Sequence, residues 1–231
     1  MFLLFLCTQL LCYFMSLVNA IDALLYGGDD LQDEAFTIVL AVVQTGDLHV
    51  DFRCGIYRKT LLHVAAARGS VFTMRRLLEL GAMPSVKDAE GRVPMHCAVT
   101  SWRNSTGQCD ALEKCKLLPV ADLSNYTSGQ TPLWLLAHHL LVRGSTDSTA
   151  PHMVLKLVQL LQWIVDQPEC ELNKVDDGGR TSADVLNFYI GMAPYALVVR
   201  TAMAQRARWS TLRAAWTGAV AGAALFNESE R

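Results

Sequence analysis

One short pattern recurs in this chain at a fixed spacing, and it constrains the fold more than any other feature. It begins at Thr60 as T-L-L-H-V-A-A-A-R-G, and a leucine pair and a glycine-alanine pair follow in the same segment. The frame opens again at Asp88 and reaches His96, which lies 33 residues after His63. A period of this length is typical of stacked units, none of which can bury its apolar face alone. The sequence therefore predicts a solenoid.

These residues resemble the ankyrin repeat, whose pattern is D-x-x-G-x-T-P-L-H-x-A-A-x-x-G, followed by L-L and G-A. The resemblance covers about residues 20–200 and is most specific between 55 and 99. It implies an all-α solenoid of stacked helix-turn-helix units with short β-hairpin-like connections. The predicted domain spans 21–205, in about five units, some degenerate: 21–54, 55–87, 88–125, 126–175 and 176–205. The structural positions of the repeat are Thr60, His63, Gly69, Gly81, Gly91, His96, Gly129, Thr131, Pro132, Gly179 and Thr181.

The second unit illustrates the physical logic of the repeat. Thr60 is placed to cap the inner helix through its hydroxyl, and Gly69 is expected to end that helix. Gly81 allows the positive φ that breaks the outer helix. His63 and His96 are residue types suited to acid–base chemistry, but the repeat frame predicts a structural role for both. We expect them to hydrogen-bond to backbone between adjacent hairpins.

The other units depart from the pattern at identifiable points. Apolar residues at helical spacing predict a helix over 33–43 in a degenerate first unit. In the third unit Val93 replaces the capping threonine, and Trp102 stands where the glycine is expected, before an insertion. Trp134 replaces the histidine in the fourth unit, and Asp184 replaces it in the fifth.

The two ends of the chain lie outside the predicted repeats. Residues 1–20 form a hydrophobic segment without a charged side chain. We interpret it as a signal peptide, a membrane anchor over residues 2–21, or a capping helix packed on the repeats. Targeting or anchoring is favoured over capping. Residues 206–231 are predicted to form a C-terminal helical tail.

Two indications about the cellular location point in opposite directions. Asn104 and Asn125 lie in glycosylation sequons and are candidate acceptors if the chain enters the secretory pathway. Ankyrin repeats are mostly intracellular, and the seven cysteines form no disulfide framework. We therefore favour a membrane-associated or intracellular location, with the secretory pathway as the alternative.

Composition argues against several kinds of function. The net charge of −2 provides no overall basic excess for binding nucleic acid. The charge is uneven, because residues 22–51 hold seven acidic residues and no Lys or Arg. The cysteine and histidine spacings match no zinc site, and no glycine-rich phosphate loop or nucleophile elbow occurs. We predict no cofactor, no metal and no enzymatic activity.

The resemblance implies a scaffold or adaptor that binds another protein through the concave groove of the repeats. The alternatives are a membrane-tethered adaptor anchored by residues 2–21, and a regulatory subunit or fragment that needs a partner to cover its apolar N-terminal helix. An enzyme accessory domain is a further alternative, without support in the residues. The candidate partner-binding residues on hairpin tips and inner helices are Tyr57, Lys59, Arg68, Glu90, Arg92, Gln130, His138, His139, Arg180 and Tyr189.

Overall fold

A computed structural model describes residues 15–26, 32–101, 110–124, 129–144, 151–171, 173–182 and 184–185. Several sequence predictions fall elsewhere: those for residues 1–14, Trp102, Asn104, Asn125, Tyr189 and the tail over 206–231 lie outside the described residues. His139 lies in a described helix, but its side chain is outside the described part.

The described chain is helical apart from short hairpins. Residues 15–26 are helical and are named α1. The elements that follow are α2 (Gln32–Thr45), β1 (Arg53–Cys54), β2 (Lys59–Thr60), α3 (Leu61–Ala67), α4 (Val71–Glu79), α5 (Pro94–Thr100), α6 (Ala111–Lys116), a 3-10 helix (Val120–Ser124), α7 (Pro132–Gly144) and α8 (Pro151–Asp166). Strands β1 and β2 pair antiparallel, with Arg53 opposite Thr60.

The helices form two layers. Helix α3 packs against α5, and α5 packs against α7, which makes the inner layer. In the outer layer α6 packs against both α4 and α8. The small side chains of Ala65, Ala66 and Ala98 are fully buried, which allows neighbouring inner helices to approach closely. The predicted all-α ankyrin solenoid is confirmed.

The starts of the inner helices follow from the residue at the capping position. The Thr60 hydroxyl accepts a hydrogen bond from the His63 backbone N–H, at 3.4 Å. Thr131 caps α7 in the same way, by accepting from the backbone N–H of Trp134 at 3.2 Å. Val93 has no hydroxyl and makes no side-chain cap, as its sequence predicts.

Gly69 stands at the predicted end of the inner helix and also meets a steric requirement. Helix α3 ends at Ala67, and Arg68 is its C-cap, so Gly69 stands directly after the helix end, where the sequence predicts the helix to stop. A Cβ on Gly69 would lie 2.9 Å from Cα of Ala65 and 3.0 Å from Cε2 of Phe36. A side chain at Gly69 would therefore collide with the backbone of its own helix and with a ring of the first unit, whereas Gly81, at φ +89°, has the predicted left-handed backbone.

Helix α1 runs across the predicted boundary at residue 20. Ala20 and Leu24 are 4% and 1% exposed and belong to the same buried cluster as Phe36 of α2. One face of α1 is therefore covered by the chain itself, while Met15 at its start is 52% exposed. Among the helices in the described part of the chain, none has the length and apolarity that a bilayer crossing requires.

Candidate protein-binding surface

The hairpin that opens the third unit is held by one aspartate. Oδ1 of Asp88 accepts from the backbone N–H groups of Glu90 and Arg92, both at 2.9 Å. Its Oδ2 lies 3.1 Å from Nε of Arg92, which also pairs with Glu90. Asp88 is 6% exposed, so these bonds satisfy a carboxylate that has little access to water.

The fifth unit repeats this arrangement at Asp176. Its Oδ1 accepts from the backbone N–H groups of Gly178 and Arg180, at 2.9 and 2.8 Å. The Arg180 side chain lies 2.9 Å from Asp176 Oδ2 and is 62% exposed. The backbone bond from Arg180 and its guanidinium lower the pKa of Asp176, which keeps the carboxylate ionised.

Arg92 and Arg180 therefore have structural contacts that the sequence analysis did not assign to them. Both were predicted only as partner-binding residues. The signal was available, since D-x-x-G-R occurs at 88–92 and again at 176–180. Each guanidinium stabilises its own turn, and its remaining donors stay available at the surface.

The hairpin of the second unit lacks the aspartate. Gly55 occupies the equivalent position, and Arg58 replaces the glycine of the turn. Arg58 has φ +50°, the one positive φ of a non-glycine residue in the described chain. Its neighbour Tyr57 is 47% exposed, and the Lys59 ammonium lies 5.6 Å from the centre of the Tyr57 ring.

Hydrogen bonds join the second and third hairpins into a continuous edge. The Ala89 backbone N–H donates to the Tyr57 carbonyl at 2.8 Å. Nη1 of Arg53 donates to the Lys87 carbonyl at 2.9 Å. The tips of successive units are thereby fixed relative to one another.

His63 links the same two units from inside. Its Nδ1 accepts from the Thr60 backbone N–H at 3.2 Å, and its Nε2 donates to the Arg92 carbonyl at 2.9 Å. Burial lowers the pKa of His63, so the imidazole is neutral. The geometry is that of the predicted structural histidine.

His96 repeats half of this arrangement. Its Nδ1 accepts from the Val93 backbone N–H at 3.2 Å, while its Nε2 has no hydrogen bond of good geometry among the described residues. Burial lowers its pKa to about 4, although the nearby Gln130 backbone opposes that change. Both histidines are thus held neutral and have no access to a substrate.

The fourth unit carries an aromatic stack on its inner helix. The rings of Trp134 and His138 are stacked at 5.1 Å, and the Arg180 guanidinium lies 5.8 Å from the Trp134 ring. Burial, and then the charge of Arg180, lower the pKa of His138. The stack connects the predicted groove residue His138 to the hairpin of the fifth unit.

The predicted binding residues lie at different depths. Tyr57, Arg68, Glu90 and Arg180 are exposed, and Lys59, Arg92, Gln130 and His138 are half-buried. Hydrogen bonds or packing place Tyr57, Lys59, Glu90 and Arg92 on the joined edge of the second and third hairpins. Arg180 and His138 form a separate group in the fourth and fifth units.

The described part of the chain shows neither a cluster of metal ligands nor an accessible nucleophilic cysteine. Within it, no three His, Cys, Asp or Glu side chains converge as metal ligands. Cys54, Cys97, Cys115 and Cys170 are free and buried. Burial raises the pKa of the Cys97 thiol to about 11, so this cysteine is not a nucleophile at neutral pH.

Comparison with known proteins agrees with this geometry. The family model described as ankyrin repeats (many copies) matches residues 62–114, which include the second and third inner helices. Neurogenic locus notch homolog protein 4 of Homo sapiens is 40% identical over 83 residues, or 34% of this chain. The match covers 4% of that relative's length, so this chain corresponds to a small part of it. The repeat frame, the two helical layers and these matches together show that the chain contains ankyrin repeats.

Proposed function

We propose that this chain is a non-catalytic scaffold that binds a partner protein on the concave surface formed by its hairpins and inner helices. Ankyrin repeats generally mediate protein–protein interactions. The observation that carries the proposal is the joined edge of the second and third hairpins, fixed by the bond from Ala89 to the Tyr57 carbonyl. A surface ordered before binding loses less conformational entropy when a partner docks.

The residue types along this edge support the proposal. Tyrosine and arginine are enriched among the residues that dominate binding energy at protein interfaces. Tyr57 is 47% exposed, and Arg53 is held by the Lys87 carbonyl with its guanidinium at the surface. Both side chains are therefore held in position while they remain exposed at the surface.

The burial and hydrogen bonding of the two repeat histidines support a non-catalytic role. Catalysis by His63 or His96 needs an imidazole that can reach a substrate and titrate near neutral pH. His63 is bonded on both ring nitrogens, and His96 is 1% exposed. Both histidines therefore stabilise the fold and are not placed to act as general bases.

Site-specific photocrosslinking of the full chain tests the proposal. A photoreactive phenylalanine replaces Tyr57 on the hairpin edge, or Phe72 on the outer helix α4 as the matched control. Phe72 is 68% exposed, so the probe is at least as accessible there. We expect a protein adduct from Tyr57 and none from Phe72. Equal crosslinking at both positions, or crosslinking only at Phe72, contradicts binding on the concave side.

A further inference from the structure

The second unit and the start of the third are strongly basic within an acidic chain. Residues 53–92 contain eight Lys or Arg and three Asp or Glu, while the chain as a whole has a net charge of −2. The preceding stretch, 22–51, has seven acidic residues and no basic one. The sign of the charge thus changes abruptly between the first and second units.

Much of this basic charge lies on the hairpins. One hairpin cation, Arg92, pairs with Asp88 and Glu90. The other hairpin cations define what we call the basic edge: Arg53, Arg58, Lys59 and Lys87. None of the four has an ion-pair partner among the described residues, and Arg53, Arg58 and Lys87 are exposed.

Apolar side chains lie beside these charges. Phe52, Ile56 and Tyr57 are 37%, 78% and 47% exposed. A shallow cavity of about 240 Å³, largely open to solvent, lies between α1 and this hairpin; its lining includes Val18, Leu25, Phe52, Arg53 and Asp22. Arg53 belongs to both features, because it lines the cavity and is one of the four basic-edge residues.

We infer that the basic edge binds an acidic peptide segment of the partner, whose aromatic or large aliphatic side chain enters the cavity beside Arg53. This inference rests on the proposed function and names the chemistry of the partner. Complementary charge would guide the segment to the second and third units, and the cavity supplies apolar contact that charge alone does not.

The same features distinguish a peptide from other polyanions. A nucleic acid or an anionic membrane presents its charge over a long or broad surface. Here the acidic stretch over residues 22–51 directly precedes the basic edge, and Asp22 lines the cavity. A short segment faces few of these carboxylates, Asp22 among them, whereas an extended polyanion faces more of them.

Fluorescence anisotropy with the purified full chain tests the inference. The probe is a short fluorescein-labelled peptide with one central phenylalanine between glutamates, compared with the same peptide carrying alanine at the centre. Arg58→Glu combined with Lys87→Glu is expected to weaken binding about tenfold, because two attractive charges become repulsive. Arg75→Glu with Lys116→Glu on α4 and α6 makes the same change in net charge and is expected to alter affinity by no more than about twofold.

Further arms separate the cavity from the charge. Asp22→Asn removes a repulsive group from the cavity lining and is expected to tighten binding of the phenylalanine peptide. The alanine peptide is expected to bind about tenfold more weakly, since it loses the buried aromatic ring. Circular dichroism confirms that each variant keeps its helical content.

The outcomes that overturn the inference are distinct. If the control variant on α4 and α6 loses as much affinity, the peptide is attracted by the overall charge of the chain and is not bound at a specific site. Equal binding of the two peptides, or stronger binding of oligothymidylate or of phosphatidylserine vesicles, means a general polyanion surface. A Tyr57 crosslink to a partner that binds both charge variants equally refutes the acidic-peptide chemistry while leaving the scaffold function in place.

Discussion

Protonation of His96 is expected to destabilise the fold as pH falls from neutral to about 4. The side chain is 1% exposed, and burial lowers its pKa from 6.5 to about 4. Above pH 6.5 the imidazole is neutral in both the folded and the unfolded chain, so the full stability is present. Between pH 6.5 and 4 the unfolded chain binds a proton that the folded chain does not, and stability therefore decreases.

The size of the effect follows from the gap between the two pKa values. One pH unit corresponds to about 1.4 kcal/mol, so the gap is worth about 3 kcal/mol, of which about 2 kcal/mol is lost by pH 5. His63 acts in the same direction, because burial lowers its pKa as well. Helix α5 contacts both α3 and α7, so a loss of stability in the third unit also destabilises the units on either side.

Urea unfolding followed by circular dichroism at neutral pH and at pH 5 measures this loss of unfolding free energy. His96→Gln removes the titrating group, and the loss of stability between the two pH values should shrink by about 2 kcal/mol. His49→Gln, at an exposed position, leaves the buried imidazole in place and serves as the control. If His96→Gln and wild type lose the same stability on acidification, burial does not hold this imidazole neutral and the reasoning fails.

Three further predictions concern the repeat frame, and thermal and urea unfolding check each of them. Gly129→Ala should cost more than about 3 kcal/mol, because φ is +71° and the Cβ would lie 2.4 Å from backbone of the next hairpin; Gly46→Ala, at φ +83° in open space, should cost about 1 kcal/mol. Val93→Thr should stabilise by about 0.5–1 kcal/mol by supplying the missing cap, and no gain would show that the third unit cannot use one. Asp88→Ala should cost about 2–3 kcal/mol through the lost turn bonds, whereas exposed Asp177→Ala should change stability by less than about 0.5 kcal/mol.

A large part of the fold could be predicted because the information is local and repeated. Thr60 and Thr131 stand at fixed distances before apolar helical residues, and a hydroxyl at that point caps a helix in any context. The 33-residue spacing of His63 and His96 predicted their structural role, since the Nδ1 atom of each accepts a hydrogen bond from the backbone N–H three residues earlier. The exposed positions on the hairpins follow from the same frame.

Burial and packing that the local sequence does not reveal decided the rest. Lys114 is fully buried, 3.1 Å from Asp110 and 3.5 Å from Ser101, and nothing in its local sequence distinguishes it from a surface lysine. A Cβ on Gly69 would collide with the Ala65 backbone of the same helix, and also with the ring of Phe36, 33 residues earlier, which only the packing of the first unit brings there.

The sequence by itself determined the repeat, its period and the ends of several helices, because these depend on hydrogen bonds within one unit. Only the tertiary structure decided that Arg92 and Arg180 hold their own turns, that part of the apolar N-terminal segment packs on the repeats, and that basic side chains gather beside an apolar cavity. The reason is that burial and local electric field depend on which units come together, and a single repeat does not encode its neighbours.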